Sequence, residues 1–249
     1  MNRRRFLSVF LVGAAIATVF VEPALAQTSD SVTENLIWDL NLNLLYIAVP
    51  ITVLVEGILI YTVVRFRNNE EPLPTRENRR LEITWTIATA VILLVVGVGS
   101  YQVLASDYVG GTGEEITQGD AEPLVVEVEA QRYGWTFYYE DIRANTSQPA
   151  GENNTLSSGG TLHLPTDRPI KLRVISTDWL HSFHVPELGL KQDAFPGQHN
   201  AIWTSVNEPG KYQLYCAEYC GVGHSGMLGT VDVTSSEGFQ EWVESQQSS

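Results

Sequence analysis

Long apolar runs crowd the first hundred residues, and short alternating runs fill the rest of the chain. Two of the long runs, from about Leu42 to Val64 and from about Ile83 to Leu104, each approach the ~20 residues that cross a ~30 Å hydrocarbon core. They predict a transmembrane hairpin over residues 27–105. The link between them carries Arg65, Arg67, Arg76, Arg79 and Arg80. Short basic loops stay in the cytoplasm, so residues 27–41 and everything after Leu104 are expected outside a prokaryotic cell membrane. A third apolar run, Phe6 to Val21, follows Arg3, Arg4 and Arg5 and precedes Ala24-Leu25-Ala26. That order predicts an export signal over residues 1–26 with cleavage after Ala26, and the Arg-Arg-Arg-Phe-Leu start is similar to a twin-arginine signal.

From Glu122 onward the period changes to two. Leu124-Val-Val-Glu-Val-Glu, Trp135-Thr-Phe-Tyr-Tyr, Ile170-Lys-Leu-Arg-Val-Ile and Gly229-Thr-Val-Asp-Val alternate apolar with polar positions and are separated by Gly, Pro, Asn and Asp clusters. Short strands at this spacing predict an antiparallel sandwich or barrel over residues 106–249. Asp141 to Gly160 reads as a polar loop, with glycan-acceptor triplets at Asn145 and Asn153. After Thr234 the pattern returns to a helical period, with Phe239, Trp242 and Val243 on one side.

Charge narrows the partners. The chain carries 29 acids and 15 bases, a net charge of −14 with only three lysines, which argues against nucleic-acid phosphates as a ligand. Between Asp107 and Glu244 there are 20 acids against 7 bases, spread through nearly every segment. That distribution fits adaptation to high salt better than one docking patch for a cationic partner. With two cysteines in total, Cys216 and Cys220, a disulfide framework is excluded and the pair needs a local explanation.

Those cysteines stand in the string Cys216-Ala-Glu218-Tyr-Cys220-Gly-Val-Gly-His224-Ser-Gly-Met227. Thiolate, imidazole and thioether form a soft donor set that selects copper over hard cations. A disulfide or a zinc ion are the other readings of two cysteines and a histidine, although a thioether is a poor zinc ligand. Upstream lies Asp178-Trp-Leu-His181-Ser-Phe-His184. An odd spacing in extended chain turns the two rings to opposite faces, so only one of them can meet the cysteine loop. His163 and His199 read as surface or packing residues.

The string resembles the Cys-x-Glu-x-Cys-x-x-x-His-x-x-Met signature of the cytochrome c oxidase subunit II family, which carries a binuclear copper A centre. Asp178-x-x-His181-Ser-Phe, Leu190-Lys-Gln-Asp193-Ala-Phe-Pro-Gly and the hairpin extend the resemblance over essentially the whole mature chain. It implies a cupredoxin-like Greek-key sandwich holding two copper ions. Cys216 and Cys220 then bridge both ions, His181 and His224 complete one each, and Met227 and the Glu218 carbonyl are weak ligands. It also implies that the Glu218 side chain helps bind magnesium or manganese at the junction with the haem-bearing subunit I, with Asp193 supporting that region.

Further implications concern partners. Electrons would come from cytochrome c or a small blue-copper protein and pass to haem in subunit I, within an aa3-type or related oxidase of several subunits that reduces oxygen to water and translocates protons. Many relatives carry Trp-x-Trp where this chain has Tyr133-Gly-Trp135, so Tyr133 stands at the electron-uptake position and the role is open to Trp135. Glu82, in Glu82-Ile-Thr-Trp85-Thr, matches a glutamate at the mouth of a proton path, and it also suits a helix N-terminus electrostatically. Glu56, midway along the first span, is expected to face a partner subunit. Quinol-oxidase relatives lack the copper ligands that are intact here. The rival function is a membrane-tethered copper carrier or sensor.

Overall fold

Helix α1 (Val32–Phe66) begins well before its apolar run, because Ser31 caps it by accepting a hydrogen bond from the Glu34 amide at 3.1 Å. Helix α2 (Arg79–Leu104) is capped by Asn78, whose side chain accepts from the Leu81 amide at 3.2 Å. The computed structural model describes residues 30–71, 74, 76–110, 116, 122–143 and 155–248. The export signal and both acceptor asparagines lie outside these residues. Each helix is long and apolar enough to cross a membrane. Side chains such as Leu54, Ile58, Leu93 and Leu94 are exposed, with nothing among the described residues to cover them, which is what a lipid or subunit environment requires. Glu56 lies on that exposed surface, and Glu82 sits in the first turn of α2. A single helical turn, α3 (Asp107–Gly110), follows the hairpin.

Among the described residues ten strands then form two five-stranded sheets. The first has the order β3 (Thr155–Gly159), β2 (Gly134–Arg143), β1 (Leu124–Gln131), β5 (Ile170–Ser176), β8 (Asn200–Thr204). The second runs β4 (Thr161–Pro165), β10 (Leu228–Thr234), β9 (Gly210–Cys216), β6 (His181–Val185), β7 (Leu190–Ala194). The alternation works as expected on β1 and β5: Leu124, Val126, Val128 and Ala130, with Ile170, Leu172 and Val174, all point inward and are buried. Phe183, Leu214, Val231 and Val233 meet them from the other sheet.

The sandwich is not wholly antiparallel, because β1 pairs with β5 and β4 with β10 in parallel. Parallel neighbours need a crossover. Here β2, β3 and β4 supply it, since β4 has changed sheets before β5 returns beside β1. The expected polar loop 141–160 is also shorter than its composition implied. Strand β2 runs on to Arg143, and Thr155–Gly159 is an edge strand with a single apolar contribution, the buried Leu156. One inward side chain suffices at an edge, and the polar residues around it hide the strand from a composition-based reading.

Helix α4 (Ser236–Gln247), capped by Ser235, closes one end of the sandwich. Phe239 is buried, while Trp242 and Val243 pack against the core. The Trp242 ring stacks on His163 at 4.2 Å and tilts over Tyr139 at 5.2 Å. Burial pushes the His163 pKa down, Asp232 at 3.9 Å works against this, and Lys211 adds to it. A histidine with a lowered folded-state pKa favours the neutral ring. Its contribution is full above the unfolded value of ~6.5 and is lost as pH falls. The melting temperature is therefore expected to drop between pH 6.5 and pH 5 more steeply in the wild type than in His163→Gln, as calorimetry across that range will show; parallel pH profiles would contradict the assignment.

Candidate metal centre

The second sheet brings the soft donors together. His181 opens β6, Cys216 ends β9, and these strands pair directly at Phe183 and Cys216. The chain then loops through Glu218 and Cys220, makes one helical turn at His224–Gly226, and enters β10 just after Met227. Backbone hydrogen bonds close the loop: the Cys216 amide donates to the Met227 carbonyl at 3.0 Å, Ala217 to Ser182 at 2.9 Å, and His224 to Gly221 at 3.1 Å. His181, Cys216, Cys220 and Met227 are all buried.

The two sulfurs stand 3.9 Å apart as free thiols, far beyond the ~2.05 Å of a disulfide. His181 Nδ1 lies 3.8 Å from Cys216 Sγ, and His224 Nδ1 lies 3.8 Å from Cys220 Sγ. Met227 Sδ is 3.8 Å from Cys220 Sγ, and the Glu218 carbonyl oxygen is 3.1 Å from Cys216 Sγ. Thus all six predicted ligands converge on one spot. Two sulfurs bonded to one ion at ~2.3 Å each can be at most ~4.6 Å apart, so the observed spacing accommodates ions held between them. Each flank of the sulfur pair has its own imidazole and its own weak donor.

Burial pushes the Cys220 thiol up to about 11, with the neighbouring Cys216 charge and hydrogen bond adding to the effect. Without a cation the Cys220 thiol resists ionisation. His181 is oriented from behind by Asp178, whose Oδ1 lies 2.9 Å from Nε2. That carboxylate also accepts from the Arg132 amide at 3.0 Å, Arg132 Nε at 2.9 Å and the Trp179 amide at 2.7 Å. Burial alone would raise the Asp178 pKa, but the hydrogen bonds from His181, Arg132 and Trp179 hold it well below the usual carboxylate range. In the sequence Asp178 stands in its motif with no task of its own. Its Asp-x-x-His spacing before a ligand histidine is the signal that could have found it.

The remaining predicted residues fall in different places. His184 is turned away from the sulfurs, with Nδ1 2.8 Å from the Leu190 carbonyl and its ring against Tyr215. His199 pairs with Glu127 on the outer face of the first sheet. Tyr133 is 41% exposed, and its ring lies on the metal loop, where a Cβ at Gly223 would meet it at 2.5 Å and one at Gly221 would meet its hydroxyl at 2.7 Å. Only glycine fits at those two loop positions. Trp135 is 3% exposed and buried edge-on to His181 and Phe183, so of the two aromatics Tyr133 alone reaches the surface. The Glu218 side chain is half-buried and Asp193 pairs with Lys191. Neither carboxylate joins a group of three metal-ligating side chains among the described residues.

Fold and site together define a class: a membrane-anchored cupredoxin-like domain with a buried thiolate, imidazole and thioether cluster. A family model described as cytochrome c oxidase subunit II, periplasmic domain, matches residues 124–234, and its transmembrane-domain counterpart matches residues 20–103. The chain belongs to the cytochrome c oxidase subunit II family, a subunit of an oxidoreductase complex. It is 32% identical over 213 residues to a probable cytochrome c oxidase subunit 2 of Rickettsia bellii, covering 81% of this chain and 76% of that one. It is 29% identical to cytochrome c oxidase subunit 2 of Synechocystis, covering 79% and 68%. The crystal structure of the periplasmic domain of subunit II from Bradyrhizobium japonicum is similar at 26% identity and a TM-score of 0.42, covering 50% of this chain and 94% of that one.

Because ligand thiols must be deprotonated, metal uptake has to expel protons. Adding copper(I) to the metal-free chain near pH 7 is expected to release at least the Cys220 proton per site, measured in a pH-stat. A flat trace with full metal uptake would mean the cysteine is not a thiolate ligand.

Proposed function

We propose that this chain is the electron-accepting subunit of a prokaryotic haem-copper oxidase, taking electrons outside the membrane and delivering them to haem in subunit I. The observation that carries this reading is the buried sulfur pair at 3.9 Å flanked on either side by one imidazole nitrogen at 3.8 Å. A single blue-copper site needs one thiolate; a doubled set serves two ions. Copper bound there supplies one-electron transfer shared between two metals. Cys216 and Cys220 would hold both ions, His181 and His224 would each complete one, and Met227 and the Glu218 carbonyl would be weak ligands. The buried strands beneath exclude water and hold the ligands nearly fixed between redox states. Tyr133, exposed and lying on the metal loop, is the contact for the donor, cytochrome c or a small copper protein. Glu218 and Asp193 face a magnesium or manganese site completed by subunit I, and Glu82 belongs to a proton path into it.

A copper carrier binds metal without needing fixed geometry or two bridging thiolates, so the paired cluster favours the oxidase reading. All five histidines follow residue 160, and neither span contains one, so a haem between the helices would lack the usual imidazole. The copper-loaded chain alone should therefore oxidise a reductant yet consume no oxygen catalytically, and subunit I should restore consumption. Sustained four-electron oxygen reduction by this chain alone, followed with an oxygen electrode, would place catalysis here instead.

Cys220→Ser removes one bridge and should reduce the metal content from two coppers per chain to one; two coppers in that variant would refute the bridging role. Asp178→Asn keeps the shape behind His181 but removes the charge that makes its imidazole a stronger donor. The reduced state is then relatively favoured, so a redox titration should show a higher midpoint potential with copper retained. A fall, or no change, would contradict the role given to Asp178.

A further inference from the structure

The N-terminal end of α1 is built into the sandwich. Ser31 bridges Val206, the Val32 amide donates to the Ser205 carbonyl at 3.0 Å, and the Asn207 amide donates to the Asp30 carbonyl at 2.8 Å. Ser31 Oγ donates to the Leu188 carbonyl at 2.7 Å while accepting from the Glu34 amide. Ser31, Thr33 and Glu34 are all buried.

Glu34 and Gly189 complete the contact. The Glu34 carboxylate accepts from the Asp30 amide at 2.8 Å and from the Trp38 indole at 3.2 Å. Among the described residues no lysine or arginine forms an ion pair with it. Gly189 lies so close that a Cβ there would stand 3.1 Å from Glu34 Cα, and its φ of +63° independently favours glycine. Backbone meets backbone at this point, which leaves little freedom to slide.

What the contact grips is the strand hairpin that carries a metal ligand. Strand β6 starts at His181 and leads into the turn Pro186–Leu188, whose last carbonyl receives Ser31. The same turn is tied to β9, the strand ending in Cys216, because Glu187 accepts from the Gln213 amide at 3.0 Å. Helix α1, the turn, β6 and β9 thus form one continuous hydrogen-bonded body from the hairpin to the sulfur cluster.

We propose that Ser31, Glu34 and Gly189 form a clamp that fixes the metal-bearing sandwich against the membrane hairpin, with Ser31 and Glu34 as positioning residues for the onward electron step. The electron step rests on the oxidase reading above, whereas the clamp concerns two parts of this chain and stands apart from it. The chain crosses from hairpin to sandwich covalently once, after α3, and α3 itself packs against β8, so without the clamp the copper would be held to its acceptor by that connection, by the α3 contact and by partner subunits.

The test uses the assembled complex with Ser31→Ala, Glu34→Ala and Glu34→Gln. Hydrogen exchange at the Val32 and Asn207 amides reports the clamp, the copper absorption spectrum reports the site, and transient kinetics separate copper reduction from electron delivery to haem. Ser31→Ala, which removes the helix cap, should speed exchange at both amides roughly five- to tenfold; Glu34→Ala should speed it as well, and both should slow delivery to haem several-fold. The copper spectrum and the reduction of copper by a small reductant should not change. Glu34→Gln, which keeps a carbonyl acceptor, should recover most of both effects. Unchanged exchange in Ser31→Ala and Glu34→Ala would show that no clamp exists, and faster exchange with normal delivery would show that it positions nothing. Absence of a paired-copper spectrum in the wild type would instead sink the oxidase reading, leaving the exchange result to decide the clamp by itself.

Discussion

Two cysteine sulfurs held 3.9 Å apart in a buried pocket cannot both carry charge unless a cation lies between them. At an effective dielectric constant of ~20, two unit charges ~4 Å apart repel by about 4 kcal/mol, and burial adds to the penalty, as the raised Cys220 thiol shows. As reduced cysteines the pair is thus favoured in two states, protonated or metal-bound. Everything around it supports the second: two imidazoles, a thioether and a carbonyl aimed at the same spot, with Asp178 holding one imidazole from behind.

The sandwich makes that convergence inexpensive. Phe183 and Cys216 are neighbours in register across β6 and β9, which places His181 and the first cysteine together without any loop having to fold back. Only the loop from Cys220 to Met227 must be shaped, and it is shaped by backbone hydrogen bonds at both of its ends and by glycines at Gly221 and Gly223, where the Tyr133 ring leaves no room for a side chain. Rigidity of this kind suits a site that changes charge by one electron and must not rearrange each time.

The metal loop was legible in the sequence because all of its donors fall within twelve residues and their chemical types are unusual together. The two spans were legible from length and apolar content, and β1, β2, β5 and β10 from their alternation. Other features were hidden for physical reasons. Strand β3 contributes only Leu156 to the core, and β6, β7 and β8 are short and interrupted by polar residues, so no period stands out. The start of α1 escaped because Ser31-x-x-Glu34 precedes the apolar run by several residues, although it is a recognisable capping box. Asp178 escaped because its task depends on a partner three residues away and on Arg132 from a distant strand end. Tyr133 and Trp135 could be ranked only by exposure, which the sequence does not contain.

The proposed oxidase role requires that the sulfur pair hold two copper ions sharing one electron. Electron paramagnetic resonance of the copper-loaded chain in its partly oxidised form decides it most directly. One unpaired electron shared equally should give a hyperfine pattern from two copper nuclei; a pattern from a single nucleus in the fully loaded chain would rule the shared pair out.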